Sequence, residues 1–92
     1  MLYDWDPAKD ALNRRKHRLK LADGIPALED PDFLFWFDDS MDYGEERILT
    51  LGQSNHGILL VVTTELSEDL TRIISVRRAE RYEEDWYYHG RP

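Results

Sequence analysis

The sequence predicts an α+β domain: an antiparallel sheet of about four strands, with two helices ahead of it and one behind. Three observations predict it. Runs rich in Phe, Ile, Leu, Val and Thr gather between Phe33 and Arg77, the composition of half-buried strands. Helix-start signals and apolar residues at helical spacing flank those runs on both sides. The 92 residues, without repeat or linker, give room for one domain spanning residues 1–92.

Tyr3 to Trp5 reads as a very short extended start. Asp6-Pro7 opens a helix, because Asp accepts free backbone N–H groups and Pro suits the first helical position. That helix is predicted from Pro7 to about Arg18. At 100° per residue, Ala8, Ala11, Leu12 and Leu19 share a face expected in the core, while Lys9, Asn13, Lys16 and Lys20 form a stripe for solvent or phosphate. Leu21, Ile25 and Leu28 suggest a second short helix ending at Glu29-Asp30-Pro31, made irregular by Gly24 and Pro26. Phe33 to Phe37 is predicted as a strand, bounded by Pro31 and by Asp38-Asp39-Ser40. Glu46 to Gly52 and Ile58 to Glu65 form an antiparallel hairpin around Gln53–Gly57, whose Asn and Gly suit left-handed backbone. Thr71 to Arg77 adds a strand in a consecutive meander, and Ala79 to about Tyr88 is the final helix. Helices are expected to cover one face of the sheet.

Composition narrows the chemistry. The absence of cysteine excludes disulfides, thiolate metal sites and cysteine nucleophiles. No apolar run reaches the roughly 18 residues needed to cross a bilayer, and the first residues lack the pattern of a signal peptide. A cytoplasmic protein without membrane contact is the expectation. A net charge of −7 sits awkwardly with nucleic-acid binding, yet it is unevenly spread. Residues 1–20 carry six Lys or Arg against three Asp, whereas residues 21–46 carry nine acids and no base. Residues 47–66 balance, and residues 67–92 hold five Arg against six acids. A local basic surface from the first helix and the last strand is expected, its field weakened by the acidic segment.

Four clusters then point in one direction. They are Trp5-Asp6-Pro7 with Lys9, Asn13 and Lys16-His17; Gly44-Glu45-Glu46-Arg47 at the head of a strand; Arg72 to Ala79 leading into the last helix; and Glu83 with Tyr87 within it. In this order the chain resembles the BrnT family of bacterial toxins along almost its whole length. The resemblance implies a RelE-like fold and metal-independent cleavage of RNA without a cofactor. It also implies a BrnA-like antitoxin with a ribbon-helix-helix DNA-binding part, so that DNA is met only through that partner. Three departures stand out. Arg18 replaces the family's usual Gly, so the first helix is expected to end without a left-handed cap. Gly24 and Pro26 interrupt a helix that tends to be more regular, and Glu84 stands where a basic residue is common.

Cleaving RNA without metal needs a base for the 2′-hydroxyl proton, cations for the pentavalent phosphorus and an acid for the leaving oxygen. His17, Glu46, Arg47, Arg72 and Arg77 are the candidates for these roles, with Lys9, Asn13, Lys16 and Tyr87 as candidate RNA contacts. His17 ends a basic helix, whose dipole should favour its protonated form; the plainer reading is a helix-capping histidine. Glu46 and Arg47 are consecutive on a strand, hence on opposite faces, and could instead form an internal salt bridge. Strand alternation groups Arg72 and Arg78 with Ile74 and Val76, and Arg77 with Ile73 and Ser75, making Arg77 the preferred phosphate ligand and Arg78 a solvent-facing helix start. Tyr87 could stack on a base or donate to phosphate, but Trp86, Tyr87 and Tyr88 on a terminal helix read first as core or interface anchors. Asp38, Asp39, Asp42, Glu45 and Glu46 lack EF-hand spacing, and the three histidines lack ligand spacing, so no metal site is expected. Against the ribonuclease stand two other readings: a catalytically inactive toxin-like module that binds a DNA-binding partner, and an acidic decoy for a basic one.

Overall fold

The computed structural model describes residues 1–39 and 44–92. Asp42, one of the carboxylates weighed for a cation site, lies outside the described residues, as does Ser40. The elements are β1 (Leu2–Asp4), α1 (Pro7–His17), a 3-10 turn (Leu21–Gly24), α2 (Ile25–Leu28), β2 (Leu34–Asp38), β3 (Arg47–Ser54), β4 (Gly57–Glu65), β5 (Leu70–Arg78) and α3 (Arg81–His89). The α+β class holds. Among the described residues the sheet has five strands in the order β1-β5-β4-β3-β2, and its first pair is parallel, Leu2 against Leu70 through Asp4 against Arg72. The short opening segment is therefore a strand in its own right.

Sequence rules explain most boundaries. Asp6 accepts the Ala8 N–H at 2.8 Å to open α1. At its other end Arg18 adopts φ 60 and returns its N–H to the Arg14 carbonyl at 2.9 Å, so the left-handed cap forms although the residue is not glycine. The β3–β4 hairpin closes on a Ser54–Gly57 pair, with Gly57 at φ 86 and the Ser54 hydroxyl donating to the Gly57 carbonyl. The second helix is split as Gly24 and Pro26 suggest, into the 3-10 turn and α2.

Helices cover both faces, not one. Leu19, Leu21 and Ala27 pack with Leu59, Val61, Ile73 and Val76 on the α2 face. Leu51, Ile58 and Leu60 pack with Leu34, Trp36, Leu49, Trp86 and Tyr87 on the α3 face. Trp86 is the anchor there, edge-on to Trp36 at 5.7 Å, with the Arg91 guanidinium 4.7 Å above the Trp36 ring. A β-bulge corrects the parity expected for the last strand. Val62 faces Ser75 and Thr63 faces Ile73, so Ile74 is the extra residue and the alternation reverses across it. Ile73 and Val76 consequently share one core, while Arg72 and Arg77 fall on the α3 side.

Candidate active site

Helix α1 is docked by hydrogen bonds, not by its apolar residues. Asp10 and Asn13, one turn apart, are buried, whereas Ala8, Ala11 and Leu12 are exposed. The Asn13 amide donates to the carbonyls of Leu19 and Val76, both at 2.9 Å, and its oxygen accepts the Val76 N–H at 3.0 Å. Because β1 pairs only with Leu70 to Arg72, Val76 lies on an otherwise open edge; the side-chain amide stands in for the missing strand. Asp10 accepts the Leu21 N–H at 2.8 Å and pairs with Arg14 at 2.6 Å. The Leu21 N–H, followed by Arg14, holds this carboxyl below its ordinary 3.8 against the opposing effect of burial. Asn13, expected as an RNA contact, is thus committed to holding the helix.

That docking sets Lys9, Lys16 and His17 along β5. With Leu12, Asn13, Ile74 and Ser75 they line a groove of about 180 Å³. A recess of about 140 Å³ shares Lys9 and Ile74 with it and brings in Asp6, Glu45, Arg47 and Arg72. Burial, then the charges of Lys16 and Arg77, push the His17 imidazole below its ordinary 6.5. The protonated form expected from the helix dipole is overturned: desolvation and two nearby cations outweigh the dipole, and the His17 carbonyl is taken by Arg78 at 3.1 Å. Arg78 ends β5 against α1 and does not start the last helix. The lowered pKa leaves the His17 imidazole less protonated than a free histidine at the same pH, and so better able to accept a proton.

Cations on the strands are partly committed. Arg77 makes a bidentate pair with Glu83, at 2.8 and 2.9 Å, and Glu83 also accepts the Glu80 N–H at 2.9 Å. Glu83 is 3% exposed. Burial would raise its carboxyl, yet the hydrogen bonds from Arg77 and Glu80 hold it below 4.5. Arg72 pairs with Asp4 at 3.0 and 3.1 Å, and Arg47 lies 3.6 Å from Glu45.

The structure therefore gathers Lys9, Asn13, Lys16 and His17 in one groove, joins Arg47 and Arg72 to it through Lys9, and brings the Arg77 charge within reach of His17. Glu46 and Tyr87 are not gathered. Glu46 is exposed ahead of β3, where its carbonyl accepts the Thr64 hydroxyl at 2.8 Å, and it is Glu45 that lines the recess. The Tyr87 hydroxyl donates to Asp30, which also accepts the Gln53 N–H; with Asp30 beside it the phenol is pushed up to about 12. Tyr87 ties α3 to the turn before β2. Sequence reasoning missed Asp4, Asp6, Asp10 and Glu45. Asp6 and Glu45 carried a signal, their places in the Trp5–Pro7 and Gly44–Arg47 motifs. Among the described residues, no group of three or more His, Asp or Glu side chains is placed to hold a metal ion.

Residues 5–83 match the family described as the ribonuclease toxin BrnT of type II toxin-antitoxin systems. Among solved structures the chain is similar to the crystal structure of the Brucella abortus ribonuclease toxin BrnT, with a TM-score of 0.63 and 22% identity, covering 88% of this chain and 100% of that one. That likeness establishes the fold they share. No curated protein sequence matches the chain.

Proposed function

The chain belongs to the BrnT family of ribonuclease toxins of type II toxin-antitoxin systems, and on that premise we propose that it is a metal-independent endoribonuclease of RelE-like architecture whose reaction takes place in the α1–β5 groove. One observation carries the reading: a half-buried imidazole of lowered pKa, His17, beside Lys9 and Lys16 in a groove open to solvent. His17 takes the proton of a 2′-hydroxyl; the 2′-oxygen attacks phosphorus and the P–O5′ bond breaks. The leaving oxygen takes a proton from water at the groove mouth, and the hydroxide so formed takes back the proton held by His17, leaving a 2′,3′-cyclic phosphate, a 5′-hydroxyl and the imidazole as it began. Lys9, Lys16, Arg47 and Arg72 supply positive charge to the phosphorane. Arg77, already paired with Glu83, acts through His17, adding to burial and to the Lys16 charge in lowering the pKa of the imidazole. The partner is a BrnA-like ribbon-helix-helix antitoxin, through which DNA is met indirectly.

The pairing of Arg72 with Asp4 and of Arg77 with Glu83 favours one alternative, a toxin-like module that binds its partner without turning over RNA. One assay separates the two. Purified chain is incubated with free single-stranded RNA and with ribosome-bound RNA, in EDTA, and products are resolved by end chemistry. The enzyme reading expects cyclic-phosphate ends, lost roughly 100-fold or more in His17→Ala while circular dichroism is unchanged. It also expects the rate to rise with pH through the His17 pKa, below 6.5, and then level off. Wild type that cuts neither substrate, while binding its partner, would establish the module instead.

A further inference from the structure

The α2 face of the sheet is only half covered. The 3-10 turn and α2 pack over Leu59, Val61, Ile73 and Val76, and beyond them a groove of about 230 Å³ lies bare, lined by Tyr3, Phe33, Phe35, Ile48, Thr50 and Thr71 among others. Phe33, just ahead of β2, and Phe35 and Phe37 within it stack edge to face, with centroids 5.8 and 5.9 Å apart. All three are exposed, Phe35 at 49%. Rings that already hold one another lose little freedom when a partner seats on them, which suits a binding surface. β2 is also the outermost strand of the sheet.

Charge decides what can sit there. Among the described residues that line this groove none is Lys or Arg, and one, Glu65, is acidic. The rim adds Glu29, which accepts the Tyr3 hydroxyl, and Asp32 beside Phe33. The segment from residue 21 to 46, which includes β2, has nine acids and no base. RNA is excluded by the missing cations. A second copy is disfavoured, since it would set one acidic segment against another. We infer that the Phe33-Phe35-Phe37 ladder and the groove behind it are the anchoring site for a segment of the antitoxin that presents apolar side chains flanked by Lys or Arg. The inference rests on the antitoxin reading above and adds where, and by what chemistry, the partner is held. Three strand spacings, about 14 Å, separate β2 from β5. An anchor on β2 therefore leaves the α1–β5 groove uncovered, and silencing that groove requires a second part of the partner to cross the sheet.

The test uses the full chain and the protein encoded by the adjacent reading frame, purified together and separately, with affinity measured by calorimetry at several salt concentrations. Phe35→Ser and Glu65→Lys both alter exposed side chains, so circular dichroism should match wild type. Each is expected to weaken the complex at least about tenfold, with wild-type affinity falling as salt rises. Variant affinities equal to wild type would overturn the anchoring site while leaving the partner reading intact. A wild-type chain that does not bind that protein at all would overturn the partner reading and the site with it. Self-association of the chain alone in sedimentation, abolished by Phe35→Ser, would assign the surface to a second copy and overturn the inference.

Discussion

Glu83 shows how one residue can organise a site from outside it. Its carboxylate, 3% exposed, accepts two bonds from Arg77 and one from the backbone of Glu80, and after burial and Lys16 the Arg77 charge is the third influence that lowers the His17 pKa. Replacing Glu83 by Gln leaves a guanidinium without its counter-ion. The expected cost is about 2–3 kcal/mol, the low side for a broken buried pair because the Arg77 side chain keeps 32% of its exposure. The sign with pH follows from linkage. Glu83 has a folded pKa below 4.5, so its contribution is fully present above the unfolded value and is lost as pH falls through the folded one. Urea denaturation at neutral pH and in acid should show the gap between wild type and Glu83→Gln closing in acid; a gap that stays constant would refute the account. Glu83 could be singled out in the sequence, but its partner could not, because alternation along an unbroken strand turns Arg77 the wrong way and the bulge at Ile74 leaves no mark in the residues.

Between elements, contacts rather than propensities settle the geometry. Helix α1 lies where Asn13 can serve the open edge of β5, and its apolar residues are left outside. On the α2 face, the helix approaches β3 so closely that a Cβ on Gly52 would lie 2.0 Å from the Ala27 carbonyl oxygen, and one on Gly24 would lie 2.8 Å from Val76. These two glycines let α2 and the 3-10 turn rest on the strands. Gly52→Ala must displace backbone, not a flexible side chain, and is expected to lower stability by at least about 2 kcal/mol. A denaturation midpoint equal to wild type would mean that α2 moves freely, and the packing described for it would be wrong. Gly24 can be read from sequence as a helix interruption, whereas nothing near Gly52 announces that another element touches it.

Across the whole molecule, the sheet order turns an acidic chain into one with two different edges. The basic first helix lies along β5, while β2, from the acidic segment, forms the opposite edge, about 14 Å and three strands away; of that segment Glu45 returns to line the recess beside Lys9 and Arg47. That distance exceeds the Debye length of about 8 Å at physiological salt, so the groove feels the charges beside it, Lys9 and Lys16 with Asp6 and Glu45 at the recess, more than the acids carried on β2. Three phosphates held by Lys9, Lys16 and an arginine should make RNA affinity fall with salt at a log–log slope of about −2. Affinity that rises with salt would mean that repulsion by the whole chain dominates and that the groove is not the RNA site. The α+β class, the hairpin, the start of α1, the absence of thiol chemistry and the split of charge along the chain were all determined by the sequence itself, because each depends on local spacing or composition. Tertiary structure alone decided that β1 pairs in parallel at the edge, that a polar seam docks α1, that the His17 pKa is lowered and that Arg77 belongs to Glu83. Each of these depends on which distant groups meet and how much water their meeting excludes, and that information is not local to any stretch of residues.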